Sequence, residues 1–259
     1  MLAVLAFVTS TSCGGAPPAA PSPTATRPAA MADVIASGKI RVVIDQTSPV
    51  IGTKIGPNDY RGAGWDVAVE LARRLGVTVE AVEADTADKV AKAATAGAWD
   101  IGVIVSNVDN DAAYGSAGVL VRVERSFLVP AGSTWRTVTD VDKPGTRIAA
   151  TSAMPALDAM KNVRTIVVPS MDAAFDLVRS GQAEAMAGAK PRIAPYLERL
   201  PGSRILDGAY GYAMYGVYGP KDKVDRVAYL KDFVVSIKSS GFLQSAIDRS
   251  GAQGVLQAP

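Results

Sequence analysis

One pattern, written twice, constrains this chain more than any other. A hydroxyl residue precedes an acid by two positions and a glycine by eleven, and a second acid follows that glycine by three. The first copy is Thr86, Asp88, Gly97 and Asp100; the second is Ser170, Asp172, Gly181 and Glu184. The hydroxyl suits a helix N-cap, the first acid sits where the helix dipole favours negative charge, and glycine supplies the left-handed stop. After each second acid comes an apolar run, Ile101 to Val105 and Ala185 to Ala189. Each copy occupies the same place in a strand-helix-strand series. "VTVEAVE" (residues 77–83) leads into the first copy, and "TRIAATS" (146–152) and "RTIVVPS" (164–170) flank the second as strands. The simplest chain that obeys this is two α/β lobes wound alike.

The remaining segments fit around the two runs. "MADVIASGK" reads as a short helix closed by Gly38, followed by a strand over Ile40 to Asp45. Trp65, Ala68, Leu71, Ala72 and Leu75 repeat at three and four, the spacing of one helix face. Asp66 and Glu70 lie early in that helix, Arg73 and Arg74 late, and Gly76 follows. "RSFLVPAG" (125–132) is an apolar strand leading from the first run to the second. "GYAMYGVYGPKD" (211–222) leads away from it. Residues 224–251 read as two amphipathic helices broken near Gly241. If they pack back on the first lobe, the chain crosses between lobes twice. Two crossing strands make a hinge, and the cleft beside it is where a small ligand binds.

Composition narrows the function. The 259 residues are 48% apolar and carry a net charge of +2, with no basic stripe interleaved with aromatics, so nucleic acid is not an expected partner. There is no histidine, which removes the usual proton shuttle, Ser-His and Cys-His nucleophiles and imidazole metal sites. A single cysteine, Cys13, excludes an internal disulfide. Leu2 to Val8 is apolar but too short to span a bilayer, and it suits a secretory signal over residues 1–12. Residues 13–31, rich in Pro, Ala, Ser and Thr, suit a disordered linker. This start resembles a bacterial lipoprotein precursor, which would make Cys13 the lipidated residue and the lipid a membrane anchor. Ser10 stands where that pattern usually has Leu, and a plain cleaved signal is the alternative. Both readings put the folded part outside the cytoplasm, in the periplasm or on the outer face of the cytoplasmic membrane.

From about Ala32 to Ala252 the chain resembles the family 3 extracellular solute-binding proteins, the polar amino-acid type. The carriers are "SGKIRVVID", "GAGWDVAVELARRLGV", "AATAGAWDIGV", "DVDKPGTRIAA", "SMDAAFDLVRSGQAEAMAG", "YGVYGPKD" and "VVSIKSSGFLQSAI", in that order. The resemblance implies an α/β, two-lobed type II periplasmic-binding fold with two hinge strands. Residues 32–127 with 221–259 would form one lobe and 128–220 the other. It further implies a monomer without cofactor or catalysis, closing on a small-molecule solute and delivering it to an ABC transporter permease. Two rivals stand beside this reading: a dehydratase-like enzyme on the same fold, and a sensor or scaffold with a degenerate pocket.

Site residues follow position by position. The loop after the first strand holds Asp45 and Ser48, where related chains often place an aromatic residue. Asp45, at a strand's C-terminal end, is the strongest single candidate. After the Asp100 strand, Asn107 and Asp109 take the positions of the family's ligand-binding hydroxyls. Ala112 takes that of the arginine which grips the ligand carboxylate. Ala189 takes that of the acid which holds the ligand ammonium, beside Lys190, a candidate replacement cation. Thr151 and Ser152 precede a helix start that suits an anion. "SNVDNDAA" (106–113) sets two Asp and two Asn with no Lys or Arg before Arg122. It reads either as a cation-attracting mouth or as a capped turn; its spacing matches no calcium loop, and no metal is expected. Of the tyrosines at 210, 212, 215 and 218, alternation places Tyr210 and Tyr212 on one face and Tyr215 on the other. Trp65 belongs to the core.

Overall fold

The computed structural model describes residues 29–46, 48–57, 59–83, 87–151, 157 and 160–259. Its strands are β1 (Lys39–Ile44), β2 (Thr53–Gly56), β3 (Asp59–Arg61), β4 (Thr78–Val82), β5 (Ile101–Val105), β6 (Gly115–Val129), β7 (Thr146–Ala150), β8 (Val163–Val167), β9 (Ala185–Ala189), β10 (Arg204–Ile205), β11 (Gly211–Gly219) and β12 (Val255–Gln257). Ten of them share one sheet whose path runs β4-β1-β5-β11-β6-β9-β7-β8. The order is nearly palindromic. A parallel trio stands on each flank, and the antiparallel strands β11 and β6 join them. Buried clusters on one side draw on β1, β5 and the C-terminal helices, and on the other on β7, β9 and the last third of β6. This is the expected two-lobed α/β plan.

The written repeat corresponds to a repeated structure. The helices are Ala87–Thr95 in the first copy and Met171–Arg179 in the second. Gly97 and Gly181 follow them with φ of 61° and 73°, a region where a side chain is strained. Ser170 caps its helix by accepting the Ala173 N–H at 3.1 Å, while Thr86 lies outside the described residues. The second acid of each copy has one job in both lobes. Asp100 accepts from Arg41 through its backbone N–H (2.8 Å), Nε (3.0 Å) and a terminal nitrogen (2.8 Å). Glu184 accepts from the same three groups of Arg147, at 2.6, 3.1 and 2.6 Å. Each arginine also donates to the carbonyl of the terminating glycine, Gly97 or Gly181, at 2.8 and 2.9 Å. One carboxylate–arginine pair thus ties a strand of each lobe to its parallel neighbour and to the turn that ends the intervening helix.

The hinge differs from the expected strand at 125–132. β6 starts at Gly115, ten residues earlier, and pairs with β11 from Gly115 to Arg125 before it turns to β9 and β10. Glycines hide this length from sequence pattern. Gly216 brings β11 close to β6, since a Cβ there would lie 2.8 Å from the Gly118 carbonyl oxygen. The C-terminal helices, Val224–Ser239 and Phe242–Ser250, break at Gly241 and bury Leu230, Phe233, Ile237 and Leu243 in the first lobe's core. Trp65 is in that core too, against Tyr60 at 4.9 Å between ring centroids. Among the described residues, no helix is long and apolar enough to cross a membrane.

Candidate functional site

The C-terminal ends of the parallel strands face one another across the β6–β11 hinge. On the first-lobe side, Asp45 leaves β1 with its N–H donating to the Val103 carbonyl at 3.1 Å. The chain then turns tightly, and Ile51 and Gly52 donate to the Ser48 carbonyl at 2.9 and 3.1 Å. That turn buries Ser48, whose hydroxyl hydrogen-bonds to the phenol of Tyr215 on β11. Tyr215 gathers the rest of the site. Burial pushes its pKa up and the Asp45 carboxylate adds to the rise, while Ser48, Arg192 and Arg125 act against them. A buried phenol kept neutral therefore lies among one acid from the first lobe, one guanidinium from the hinge and one from the second lobe.

Register explains the convergence. On β6, Val121 and Val123 stand opposite Tyr215 and Ala213, and Arg125 stands opposite Ala189 of β9. Directly paired residues share a face, so Tyr215, Arg125 and Ala189 stand on the same side of the sheet. At the position where resemblance expects an acid for a ligand ammonium, this chain has a methyl group opposite a guanidinium. Arg192 follows in the short helix Lys190–Ile193. It is half-buried, and it has no hydrogen bond or ion pair among the described residues.

The other candidates are placed as follows. Lys190 is not an open cation: its Nζ lies 2.5 Å from Glu124 Oε2, and both side chains are largely buried. Asn107 caps the helix Val108–Ala113 by accepting the Asn110 N–H at 2.8 Å, and Asn110 donates to the Val105 carbonyl. Asp111 accepts the Tyr218 hydroxyl at 2.6 Å. Burial, with Asp111 next, pushes Tyr218 up to about 12. Of the two readings of "SNVDNDAA", the capped turn is the one whose bonds the structure shows. Asp109 is exposed, with no hydrogen bond or ion pair among the described residues. Ala112 is exposed on the same helix, and its carbonyl accepts from Lys221 Nζ. Thr151 is half-buried just after β7; Ser152 and Cys13 lie outside the described residues.

The tyrosine expectation needs correction. Tyr212 is exposed with Arg122 over its ring at 5.2 Å, whereas Tyr210 stacks on Phe127 at 4.6 Å. Burial pushes Tyr210 up to about 12, against an opposing hydrogen bond from Arg125. Arg122 and Arg125 are an odd number of residues apart on β6, so the two tyrosines meet opposite faces. Tyr210 precedes β11, and alternation along the strand does not reach it. Sequence reasoning singled out neither Arg125 nor Arg192, and named Tyr215 only as one of four tyrosines. Only Arg192 carried a local signal, an arginine one turn into a Pro-started helix after β9. Among the described residues, no group of His, Cys, Asp or Glu is placed to hold a metal ion.

No family model and no curated protein sequence matches the chain. Solved structures do match its fold. A mutant of ArgBP from T. maritima superposes with a TM-score of 0.65 at 17% identity, covering 86% of this chain and 99% of that one. An ancestral amino acid-binding protein, a precursor of cyclohexadienyl dehydratase, gives 0.65 at 20% identity over 85% and 98%. A solute receptor for L-cysteine of Neisseria gonorrhoeae gives 0.65 at 17% identity over 85% and 92%. These likenesses bear out the two-lobed periplasmic-binding fold that the sequence resemblance implied.

Proposed function

We propose that this chain binds a small carboxylate-bearing solute, amino-acid-like or a small organic acid, in the interlobe cleft and delivers it to an ABC importer. Residues 32–127 with 221–259 and residues 128–220 act as the two closing bodies. The observation that carries the reading is the register that sets Tyr215, Arg125 and Ala189 on one face of the hinge, where the charges of Asp45, Arg125 and Arg192 all act on the buried phenol. A guanidinium facing a cleft suits a carboxylate, and Asp45 with Ser48 suits an ammonium, amide or hydroxyl on the same molecule. Structural neighbours bound to L-arginine, and one that is a receptor for L-cysteine, support a ligand of this size and chemistry. Thr151 lines the opposite wall in this reading, and Ser152, outside the described residues, is proposed as a ligand contact. Asn107 and Asp109 lie at its edge, and Lys190 acts through Glu124. Secretion, a lipid anchor at Cys13 and a monomeric state complete the proposal.

The test is a thermal-shift panel of amino acids, opines, polyamines and small carboxylates, followed by calorimetry. A ligand at 100 times its Kd adds about 2.7 kcal/mol of stability. Arg192→Met then weakens a carboxylate ligand by about ten- to a hundredfold, the loss of one charge-assisted contact. Binding confined to polyamines, or untouched by Arg192→Met, would overturn the carboxylate assignment. Incubation with prephenate or arogenate separates the enzymatic alternative: turnover by the wild-type chain would replace the non-catalytic reading.

A further inference from the structure

The largely buried ion pair of Glu124 and Lys190 sits where the lobes meet. Glu124 lies on β6 one residue before Arg125, where that strand begins to pair with β9 of the second lobe. Lys190 follows β9 directly and opens the helix Lys190–Ile193. A third segment, residues 251–259, closes over the pair. The Gly254 carbonyl accepts the Glu124 N–H at 2.7 Å. Gly254 has φ of 70°, and a Cβ there would lie 2.7 Å from Lys190 Cδ and 3.1 Å from both Cβ and Oε2 of Glu124. The backbone of this turn therefore rests on the lysine stem and on the carboxylate that the lysine pairs with. The left-handed backbone and the close approach each call for glycine. The same segment is fixed to the first lobe. Val255, Leu256 and Gln257 of β12 pair with Val123, Arg122 and Val121 of β6. Val255 is buried in the first lobe's core. The Ala258 N–H donates to the Leu120 carbonyl at 2.8 Å, and Lys238 Nζ, on the helix Val224–Ser239, donates to the Pro259 carbonyl at 2.8 Å.

From this geometry we infer that the Gly254 turn is a stop on lobe rotation, which bears on Lys190 and sets the resting angle between the two lobes. The turn moves with the first lobe, through β12 and the Val255 side chain. Lys190 moves with β9 and the second lobe. Strands β6 and β11 can twist as a hinge with their ladder intact. A turn wedged on a side-chain stem cannot be passed in the same way, because packed groups resist overlap. Rotation that drives Lys190 toward Gly254 meets backbone atoms. Rotation in the other sense draws the ammonium from a carboxylate that water reaches poorly, where the attraction is stronger than at an open surface. Arg192 lies two residues further along the Lys190 helix, so the stop also fixes where that guanidinium stands at rest. The inference rests on the proposed closure of two lobes on a solute and adds the element that holds them before closure.

The experiment needs no ligand, so its failure is distinct from a failure of solute binding. In the full chain carrying Cys13→Ser, nitroxide labels are placed at Lys92→Cys and Arg179→Cys, exposed positions on the repeated helices of the two lobes. Pulsed electron–electron double resonance reads the distance between them, and far-UV circular dichroism checks that each variant is folded. Lys190→Ala removes both stem and charge and is expected to broaden the distance distribution. Gly254→Ala sets a methyl group against the stem and is expected to shift the mean. The two together are expected to give the distribution of Lys190→Ala alone, because the stem that the methyl group would strike is gone. Glu184→Gln, which alters an ion pair inside the second lobe, is expected to keep the wild-type distribution. Should Gly254→Ala fail to fold, Lys190→Ala alone decides. A wild-type distribution for Lys190→Ala overturns the stop, as does a Gly254→Ala shift that survives Lys190→Ala, or an equal broadening in Glu184→Gln.

Discussion

The paired acids Asp100 and Glu184 offer a test in which one molecule supplies its own control. Both accept the same three bonds from a first-strand arginine, and they differ in burial. The Asp100 side chain is 9% exposed, that of Glu184 37%. Asp100 also holds Arg226, which is itself buried. Asp100→Asn keeps the shape but turns an amide N–H toward two guanidinium groups and leaves them with a neutral acceptor. Removing one partner from a buried ion pair costs about 3–5 kcal/mol. Because Arg226 keeps Asp33, we take the lower end, about 3 kcal/mol. Glu184→Gln removes a charge from a pair open to water on both sides, where screening reduces the cost to about 1 kcal/mol or less. Urea unfolding followed by far-UV circular dichroism reads the difference. With a slope of about 3 kcal/mol/M for a chain this size, the midpoints fall by about 1 M and about 0.3 M. Should the lobes unfold in separate steps, Asp100→Asn moves the step that exposes Trp65 and Trp99, and Glu184→Gln the other. Equal losses, or a larger loss for Glu184→Gln, would refute the claim that burial decides between two copies of one motif.

Three further outcomes are expected. Hydrogen bonds from Arg73, opposed by burial and supported by Arg74, bring the Glu70 carboxyl down to about 2. A carboxyl whose folded pKa lies below its unfolded value stabilises above the unfolded pKa, and the benefit is lost as pH falls toward 2. Because Arg73 is largely exposed, the stability difference between wild type and Glu70→Gln is about 1–2 kcal/mol at pH 7. It closes between about pH 5 and 2, and a pH-independent difference would contradict the assignment. Gly62 has φ of 148°, and a Cβ there would lie 2.8 Å from the Ile51 carbonyl oxygen. Gly62→Ala is therefore expected to cost about 2 kcal/mol or more in thermal or urea unfolding, and a neutral substitution would mean the loop before Ala63 is free to move. Ala112→Arg places a guanidinium where the family resemblance expects one, on an exposed position with room for it. It is expected to strengthen amino-acid binding about tenfold or more by calorimetry; no gain in a folded variant would show that this helix does not face the bound carboxylate.

What the sequence made legible was local. Helix faces, caps and left-handed stops act within a few residues, so the helix ending at Leu75 and the break at Gly241 could be read directly. The repeat also gave the lobe plan, because each copy carries its own punctuation. The reason each copy ends in an acid was not legible. Asp100 lies 59 residues from Arg41, and Glu184 lies 37 from Arg147. Only the parallel pairing of β1 with β5, and of β7 with β9, brings each pair together. The length of β6 was hidden because a strand containing Gly115, Gly118 and several charged residues lacks an apolar run.

The site shows the same division more sharply. Asn107 and Asp111 are polar residues whose bonds go to Asn110 and to Tyr218 on β11, so residue type alone overstates their freedom. Lys190 was weighed as an open charge because Glu124 is 66 residues away in the chain. Arg125 does not stand out in the sequence, and Tyr215 is one tyrosine among four, because each is one residue of a hinge strand until the register of β6, β9 and β11 puts them on one face. A cleft built by a hinge draws its polar groups from segments that meet only when the lobes do. Its chemistry is therefore the last thing a linear pattern discloses. Under the proposed function, the departures at Ala112 and Ala189 are a relocation of charge to Arg125 and Arg192.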